Sequence, residues 1–157
     1  RVGTYFGALE AFFPGELALS GDLDRAKRLE ESCYRMWTKW GVEPEGLNYS
    51  NMRIVEKGYA LRPEIIESAY YLRHFTEDPR YVEMGQAFFN SMVKYCRTDA
   101  AYAALSDVET KAKADRMESF FLAETLKYLY LLFAQPDTLD LTKVVFNTEA
   151  HPIRRTW

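Results

Sequence analysis

The residues best suited to chemistry stand together in the segment Arg62-Pro63-Glu64, with Glu67 three residues further on. Proline favours the first turn of a helix, where its missing N–H leaves no hydrogen bond unmade. Residues three apart share one face of a helix, so we expect the two carboxylates to lie side by side, next to a guanidinium. Such a group could hold water, a metal ion or sugar hydroxyls. The alternative is an acidic first turn that only complements the helix dipole.

A further acidic residue, Glu124, lies within an apolar helical pattern. Its neighbours Phe121, Leu122 and Leu126 are large and apolar. An ionised carboxylate among them needs a partner or must be neutralised. Water bound to a metal ion would be such a partner. A narrow solvent-facing side of the helix would explain the same residue without any site.

Composition limits the classes of protein to which the chain can belong. Of 157 residues, 48% are hydrophobic and 15% aromatic, which is enough for one core in a single globular unit. The net charge is -3 and the basic residues are scattered, so nucleic acid is not expected as a partner. No apolar run is long enough to span a bilayer, and we expect this segment to make no membrane contact.

Helical periodicity of the apolar residues, broken by Gly, Pro and Asp, predicts an all-α protein. A helix at about 116–133 is apolar over more than half of its circumference and should be buried. Asp22 is a suitable N-cap for a long helix. The other helices are placed at about 9–19 with an interruption near Pro14-Gly15, at 23–40, at 63–75 and at 81–94.

Three stretches do not follow the helical pattern. Residues 41–60 combine proline, glycine and asparagine without periodicity and are predicted as a long loop, a kind of segment that is often functional. Residues 101–108 could form a short strand or ribbon. The β-branched, apolar run Val144-Val145-Phe146-Asn147-Thr148 is predicted as a short strand.

Three motifs, in this order along the chain, resemble glycoside hydrolase family 47, the class I α-1,2-mannosidases and their ER degradation-enhancing relatives. They are Leu61-Arg62-Pro63-Glu64, Ser119-Phe120-Phe121-Leu122-Ala123-Glu124 and Phe146-Asn147-Thr148-Glu149-Ala150-His151-Pro152. The upstream segment Phe12-Phe13-Pro14-Gly15 is also similar to a segment of that family. The order and the residue types match across nearly the whole chain.

The resemblance implies a fold. Residues 1–157 would be the C-terminal part of one catalytic domain of this family. That domain is an (αα)7 barrel, or α/α toroid, plugged by a short C-terminal β-hairpin. The complete domain is considerably longer than this chain.

The resemblance also implies a Ca²⁺ ion at the floor of the barrel. Thr148 would bind it directly, through its hydroxyl and its backbone carbonyl. Glu67, Glu124 and Glu149 would bind it through water, with Glu64 beside them. Ca²⁺ accepts six to eight oxygen ligands in a tolerant geometry, so carboxylates and waters are suitable neighbours.

By the same resemblance, Glu64 is the catalytic base that activates water on the face of the sugar opposite the leaving group. The reaction would then be an inverting hydrolysis, in which acid and base stand far enough apart to admit that water. Arg62 would donate hydrogen bonds to the sugar and Phe120 would stack against it. Glu124 and Glu149 would complete the substrate contacts. The acid of the family lies upstream of the residues matched here.

Two departures from the family pattern are visible. The mannosidases usually have Asp-His-Leu where this chain has Gly7-Ala8-Leu9. Many secreted members join the positions of Ala11 and Cys33 by a disulfide, which this chain cannot form, so we expect Cys33 to be a free buried thiol. The Phe-Phe-Pro-Gly form is closer to the degradation-enhancing branch or to a bacterial branch.

We therefore interpret the chain as part of a Ca²⁺-dependent mannosyl-oligosaccharide α-1,2-mannosidase. Its partner would be a mannose-rich glycan or glycoprotein, from which it removes terminal mannose, and this chain alone would lack the acid. The alternative is a non-catalytic, lectin-like module of glycoprotein quality control. A eukaryotic protein of this kind is expected in the ER or Golgi lumen, and a bacterial one in the periplasm or outside the cell.

Overall fold

The computed structural model describes residues 3–156, in which five α-helices supply most of the core. The predicted bounds of α2, α3 and α4 are confirmed to within one residue. The helices are α1 (Phe13–Leu19), α2 (Leu23–Trp40), α3 (Glu64–Thr76), α4 (Arg80–Tyr95) and α5 (Leu126–Phe133).

The ends of α2 show how local chemistry sets a helix boundary. The Asp22 side chain accepts a hydrogen bond from the backbone N–H of Arg25 at 3.3 Å, which confirms the predicted N-cap. At the other end Gly41 has a φ of 77°, a left-handed conformation that glycine adopts without steric cost. A Cβ atom placed there would come within 2.7 Å of the Tyr95 ring.

The first and last predicted helices differ from expectation in detail. The first is two pieces, a 3-10 turn at Ala8–Phe12 followed by α1, but the break predicted near Pro14-Gly15 is wrong, because both residues lie in the first turn of α1. The last begins later than predicted, and a π-helical turn at Phe121–Thr125 leads into α5. Residue Arg116 is held outside the helix because its backbone carbonyl accepts a hydrogen bond from the Ala104 N–H at 2.8 Å.

Three small antiparallel sheets correct the all-α prediction. The prediction of a long loop at 41–60 is wrong in part, because this segment contains two strands of a three-stranded sheet. Its pairing joins distant residues, with Tyr5 opposite Asn48, so no local pattern reveals it. The strands of this sheet are β1 (Tyr5–Gly7), β2 (Gly46–Asn48) and β3 (Arg53–Glu56).

The other two sheets are two-stranded and were predicted in part. The ribbon expected near 101–108 is confirmed as β4 (Leu105–Asp107) paired with β5 (Ala112–Lys113). The strand expected at 144–148 is confirmed as β6 (Val144–Phe146). It pairs with β7 (Pro152–Arg154) to form the expected hairpin.

Helix α3 lies at the centre of the packing, in contact with α1, α2, α4 and α5. Its residues Ile65, Ile66, Ala69 and Leu72 are all fully buried. Because the helix is enclosed by four others, its first turn has little freedom to move. The position of Glu64 is therefore set by the core.

One face of α5 corrects the prediction that this helix is buried. Leu122, just before the helix, is 59% exposed, and Tyr130 and Phe133 on it are 64% and 41% exposed. Within residues 3–156, Leu122 and Tyr130 stay largely uncovered, whereas the Phe133 ring packs on Phe89 of α4 at a centroid distance of 6.3 Å. The rest of α5 packs on α3 and α4. Among residues 3–156, no helix combines the length and the apolarity needed to cross a bilayer.

The two cysteines lie in the same core. Both Cys33 and Cys96 are buried and free, which confirms the prediction for Cys33. Ala11, at the position where the resemblance places a disulfide partner, is fully buried in the core that also contains Cys33. Burial raises the pKa of the Cys33 thiol well above its ordinary value.

Candidate active site at the start of α3

The first turn of α3 is fixed by hydrogen bonds to distant parts of the chain. The buried Ser68 hydroxyl donates to the Ala11 carbonyl at 2.7 Å and accepts from the Gly15 N–H at 3.1 Å. The Thr125 hydroxyl donates to the Leu61 carbonyl at 2.7 Å. Leu61 has a φ of 63°, which is uncommon for leucine, and this sharp turn leads the chain into the site.

Arg62 is held by Glu45, a functional candidate that the sequence analysis missed. Its Nε and Nη2 atoms donate to Glu45 Oε2 at 3.1 and 2.9 Å, in a partly shielded ion pair. Glu45 also accepts a hydrogen bond from the Ala60 N–H at 2.8 Å. The guanidinium lies 5.4 Å from the centroid of the Phe120 ring. The two residues predicted to bind sugar are thus in contact.

Glu64, the predicted base, is partly buried below this pair. Burial raises the pKa of its carboxyl to about 7, although its own backbone N–H and Arg62 oppose the change. Its Oε2 atom is buried and has no hydrogen-bond partner within residues 3–156. A carboxyl with a pKa near neutrality can both release and accept a proton under physiological conditions.

Glu67 is tied to α5 and through it to the hairpin. Its carboxylate accepts a hydrogen bond from the Tyr128 hydroxyl at 2.5 Å. Burial raises the pKa of Glu67 to about 7, and the bond from Tyr128 opposes this. The Tyr128 ring packs at centroid distances of 5.8 Å on Tyr70 and 5.6 Å on Phe146 of β6. The hairpin is therefore docked beside Glu67.

Glu124 and Glu149 complete the set of predicted carboxylates. Glu124 is only 9% exposed, and burial followed by the charge of Glu149 raises its pKa. The charge of Glu124 in turn raises the pKa of Glu64 and of Glu67. The structure thus brings Glu124 within electrostatic range of each of the other three predicted carboxylates. We call Glu64, Glu67, Glu124 and Glu149 the carboxylate cluster.

The turn of the hairpin, residues 147–151, holds the predicted metal ligand. Thr148 and Glu149 are exposed in this turn, whereas Ala150 is fully buried with a φ of 52°. The Asn147 side chain accepts hydrogen bonds from the N–H groups of Glu149 and His151 at 3.0 and 2.9 Å. The turn that contains Thr148 therefore has a defined backbone shape.

The donor set of the site suits Ca²⁺. Its side chains offer oxygen atoms, which this ion prefers. Across the described residues, no three His, Cys, Asp or Glu side chains lie close enough together to hold a metal ion alone. Thr148 as a direct ligand, with water between the cation and the carboxylates, is compatible with this spacing. The buried, unpaired Oε2 of Glu64 is an acceptor for such water.

A second acidic group, which the sequence analysis did not predict, lies in the core behind Glu64. Glu30 of α2 and Glu43 of the following loop are both 0% exposed, and their carboxylates have no hydrogen-bond partner in the part of the chain described. Burial raises the pKa of both well above the ordinary value. The charge of Glu64 raises the pKa of Glu43 further. We call Glu30 and Glu43 the interior pair.

Comparison with known proteins identifies the family. Glycosyl hydrolase family 47 matches residues 2–155, and the chain belongs to this family. The resemblance inferred from the three motifs is thereby confirmed.

Two relatives and one solved structure show how much of the family this chain represents. Alpha-mannosidase I MNS4 of Arabidopsis thaliana is 42% identical over 96% of this chain and 25% of its own length. The human ER degradation-enhancing alpha-mannosidase-like protein 3 is 42% identical over 94% of this chain and 16% of its own length. The chain therefore spans a quarter or less of these relatives.

The fold is similar to that of a solved fungal enzyme. The structure of an alpha-1,2-mannosidase from Trichoderma reesei superposes with a TM-score of 0.89 at 29% sequence identity. The similarity covers 98% of this chain and 40% of the fungal chain. The arrangement of helices and hairpin described above is thus an arrangement found in that enzyme.

Proposed function

We propose that the full-length protein is a Ca²⁺-dependent, inverting α-1,2-mannosidase that removes terminal mannose from mannose-rich glycans. The observation that carries this proposal is the meeting of the carboxylate cluster with Arg62 and Phe120 at the start of α3. These residues come from three separate segments of the chain. We also propose that α1 to α5 form part of an (αα)7 barrel, which is supported by the similarity to the fungal enzyme.

Glu64 is suited to the role of base. It must be ionised to accept a proton, and burial and Arg62 act in opposite directions on its pKa, which lies at about 7. Ionised Glu64 would take the proton of the attacking water at Oε2, which is unpaired in residues 3–156. In an inverting enzyme the acid stands about 6.5–9.5 Å from the base, so it can come from another part of the barrel.

Arg62 and Phe120 are placed to bind the sugar. The hydrogen bonds described for Arg62 engage Nε and Nη2, which leaves Nη1 to donate to a sugar hydroxyl. Phe120 is partly exposed and offers an apolar surface to the C–H face of a sugar ring. Glu45 fixes the guanidinium, so that little side-chain entropy is lost when the sugar binds.

The hairpin turn and the carboxylate cluster are proposed to hold Ca²⁺. Thr148 would be the direct protein ligand, and Glu67, Glu124 and Glu149 would hold the coordinating waters. A bound Ca²⁺ would supply two contacts to hydroxyls of the terminal mannose, which orient the sugar ring above the base. The mutual repulsion of the carboxylates favours such binding, because a divalent cation offsets it.

We further propose that the substrate is the mannose-rich glycan of a glycoprotein in the secretory pathway. The similarity to an ER degradation-enhancing relative supports this location for a eukaryotic protein. The sequence of the Phe-Phe-Pro-Gly segment is compatible with that branch or with a bacterial one.

Release of free mannose from α-1,2-linked mannobiose and from a mannose-rich N-glycan tests the proposal. The full-length protein is expected to release mannose, to lose this activity after chelation and to regain it with Ca²⁺. A folded protein that releases no mannose from either substrate in the presence of Ca²⁺ would contradict the proposed reaction. Activity that is unaffected by chelation would contradict the proposed ion.

A second candidate function is a mannose-binding module without turnover. It is favoured by Gly7-Ala8-Leu9, which stands where mannosidases usually have Asp-His-Leu. Ala8 is buried, and the N–H of Gly7 donates to the Glu10 carboxylate at 2.6 Å, so no histidine contact to sugar is available there. Ca²⁺-dependent binding of a mannose-rich glycan without release of mannose would support this function.

A further inference from the structure

Lys127, in the first turn of α5, joins two parts of the candidate site. Its ammonium donates a hydrogen bond to the Ala150 carbonyl at 2.6 Å, in partly buried surroundings. Ala150 directly follows Thr148 and Glu149 and is itself fully buried. The positive charge of Lys127 also acts on Glu124, where it opposes the rise in pKa that burial and Glu149 cause.

The turn has few other polar connections to the helices. Within residues 3–156, the hydrogen bonds described for 147–151 stay inside the turn, apart from the one from Lys127. Fixing a lysine side chain costs about 1.5–2 kcal/mol of rotamer entropy, so an ordered ammonium on a backbone carbonyl needs compensating contacts. The hydrogen bond to the Ala150 carbonyl supplies a contact, and the charge of Glu124 adds an electrostatic attraction.

The charge of Lys127 also affects the affinity for Ca²⁺, and this effect is opposite in sign to that of holding the turn. A positive charge close to a cation site repels the cation, so removal of this charge alone would favour Ca²⁺. Release of the turn would move Thr148 and Glu149 and disfavour Ca²⁺. Loss of a group that orients metal ligands typically costs about 10- to 100-fold in affinity. Repulsion between partly exposed charges is screened by water and salt, so the positioning effect is expected to be larger.

We propose that Lys127 is a positioning residue that holds the turn with Thr148 and Glu149 beside the other three carboxylates of the cluster, Glu64, Glu67 and Glu124. The identity of the bound ion rests on the proposed function. The placement of the turn does not, because the hydrogen bond to Ala150 is present without any ion.

Calorimetric titration of the full-length protein with Ca²⁺ tests this role. Lys127→Met removes the ammonium but keeps the length of the side chain, and its affinity for Ca²⁺ is expected to fall by about 10- to 100-fold. Lys127→Arg keeps the charge and a donor and should restore most of the affinity. The control is Lys143→Met near the same hairpin, because the exposed Lys143 pairs with Asp140 at 2.7 Å and does not contact the turn.

Hydrogen exchange of the backbone amides at 147–151 gives a second readout that needs neither Ca²⁺ nor activity. In the metal-free protein, Lys127→Met should exchange faster at these amides, whereas Lys143→Met should exchange as the wild type does. The exchange rates of the amides in α5 itself should be unchanged. This result would separate release of the turn from general unfolding.

The outcomes distinguish the two proposals. A wild-type protein that binds no Ca²⁺ would overturn the proposed ion, and hydrogen exchange would still decide the role of Lys127. Unchanged exchange in Lys127→Met would overturn the positioning role. Tighter Ca²⁺ binding in Lys127→Met would also overturn it, because the charge of the lysine would then outweigh its hold on the turn.

Discussion

The carboxylate cluster and the interior pair are built from the same residue type and differ in their surroundings. In the cluster, Glu67 accepts a hydrogen bond from Tyr128, and Glu124 lies beside the positive charge of Lys127. In the interior pair, Glu30 and Glu43 are fully buried, and neither has a hydrogen-bond partner among the residues described. Burial is the main cause of the raised pKa of Glu64, Glu67 and Glu124 in the cluster and of Glu30 and Glu43 in the interior pair.

The difference shows that burial alone does not make a site. Glu64 and Glu67 have pKa values of about 7, so their charge can be gained or lost at neutral pH. The interior pair is expected to stay neutral, because an unpaired charge in the core is very unfavourable. The exposed hairpin turn makes the carboxylate cluster reachable by a ligand. We therefore expect substitutions in the cluster to change function and substitutions in the pair to change stability.

The largest effect should come from replacing the proposed base. Glu64→Gln is expected to lower kcat for mannose release by about 100- to 10,000-fold, because the amide cannot accept a proton from water. Glu43 is within range of the charge of Glu64, and burial raises its pKa well above the ordinary value, which favours its neutral form. The kcat of Glu43→Gln should therefore stay near that of the wild type. Steady-state kinetics on mannobiose compares the two. Similar losses in both variants would remove the distinction between the two groups.

A smaller effect is expected from Thr148→Ala, which removes a hydroxyl ligand but leaves the backbone carbonyl. The affinity for Ca²⁺ should fall by about 10-fold or more, since even groups that only orient ligands contribute this much. Thr142→Ala is a matched control, because its hydroxyl is bound to Asp140 at 2.5 Å and lies outside the turn. Equal calorimetric affinity of Thr148→Ala and the wild type would contradict the metal assignment.

Substitution of a residue of the interior pair should increase stability, whereas substitutions in the carboxylate cluster should reduce function. Glu30→Met replaces a buried, unpaired carboxyl by an apolar side chain of similar length and should raise the free energy of unfolding by about 1–3 kcal/mol. Thermal unfolding at neutral pH measures this change. Glu31→Met on the same helix is the control, because Glu31 pairs with Arg80 at 3.2 Å near the surface, and its loss should slightly destabilise the protein. A lower melting temperature for Glu30→Met would show that the carboxyl has a stabilising partner.

A further effect concerns the pH dependence of stability. The pKa of Glu30 in the folded protein lies well above its ordinary value of 4.5, so the folded state keeps a proton that the unfolded state releases. Stability from this group is therefore present below pH 4.5 and is lost as the pH rises towards the folded pKa. Glu30→Gln cannot titrate, and its advantage over the wild type should grow with pH by up to about 1.4 kcal/mol per pH unit. If the difference in the free energy of unfolding between Glu30→Gln and the wild type stayed constant across this pH range, a neutral Glu30 would be contradicted.

Some features of the fold could be predicted because their causes are local. The spacing of apolar residues and the Asp22 cap predicted α2 correctly, and both causes act within a few residues. The hairpin of β6 and β7 also involves neighbours in the sequence. By contrast, β1 and β2 are paired across about forty residues and are too short to show an alternating pattern, so this sheet was missed.

The site could be predicted in part. The motifs identified Arg62, Glu64 and Glu124, and the structure brings them together. Glu45 was missed because a single acidic residue in a loop carries no periodic signal. Glu30 was missed despite a usable signal, since it is spaced from Ala26 and Cys33 as residues on the buried side of α2 are.

The sequence by itself determined the family, most helix boundaries and the residue types of the site, because motifs and helical periodicity are properties of short segments. Only the tertiary structure decided which carboxylates are exposed to a ligand and which are sealed in the core. That decision depends on the packing of α2, α3 and α5 and on the docking of the hairpin. A pKa depends on solvent and on charges from distant parts of the chain, and no local pattern contains them.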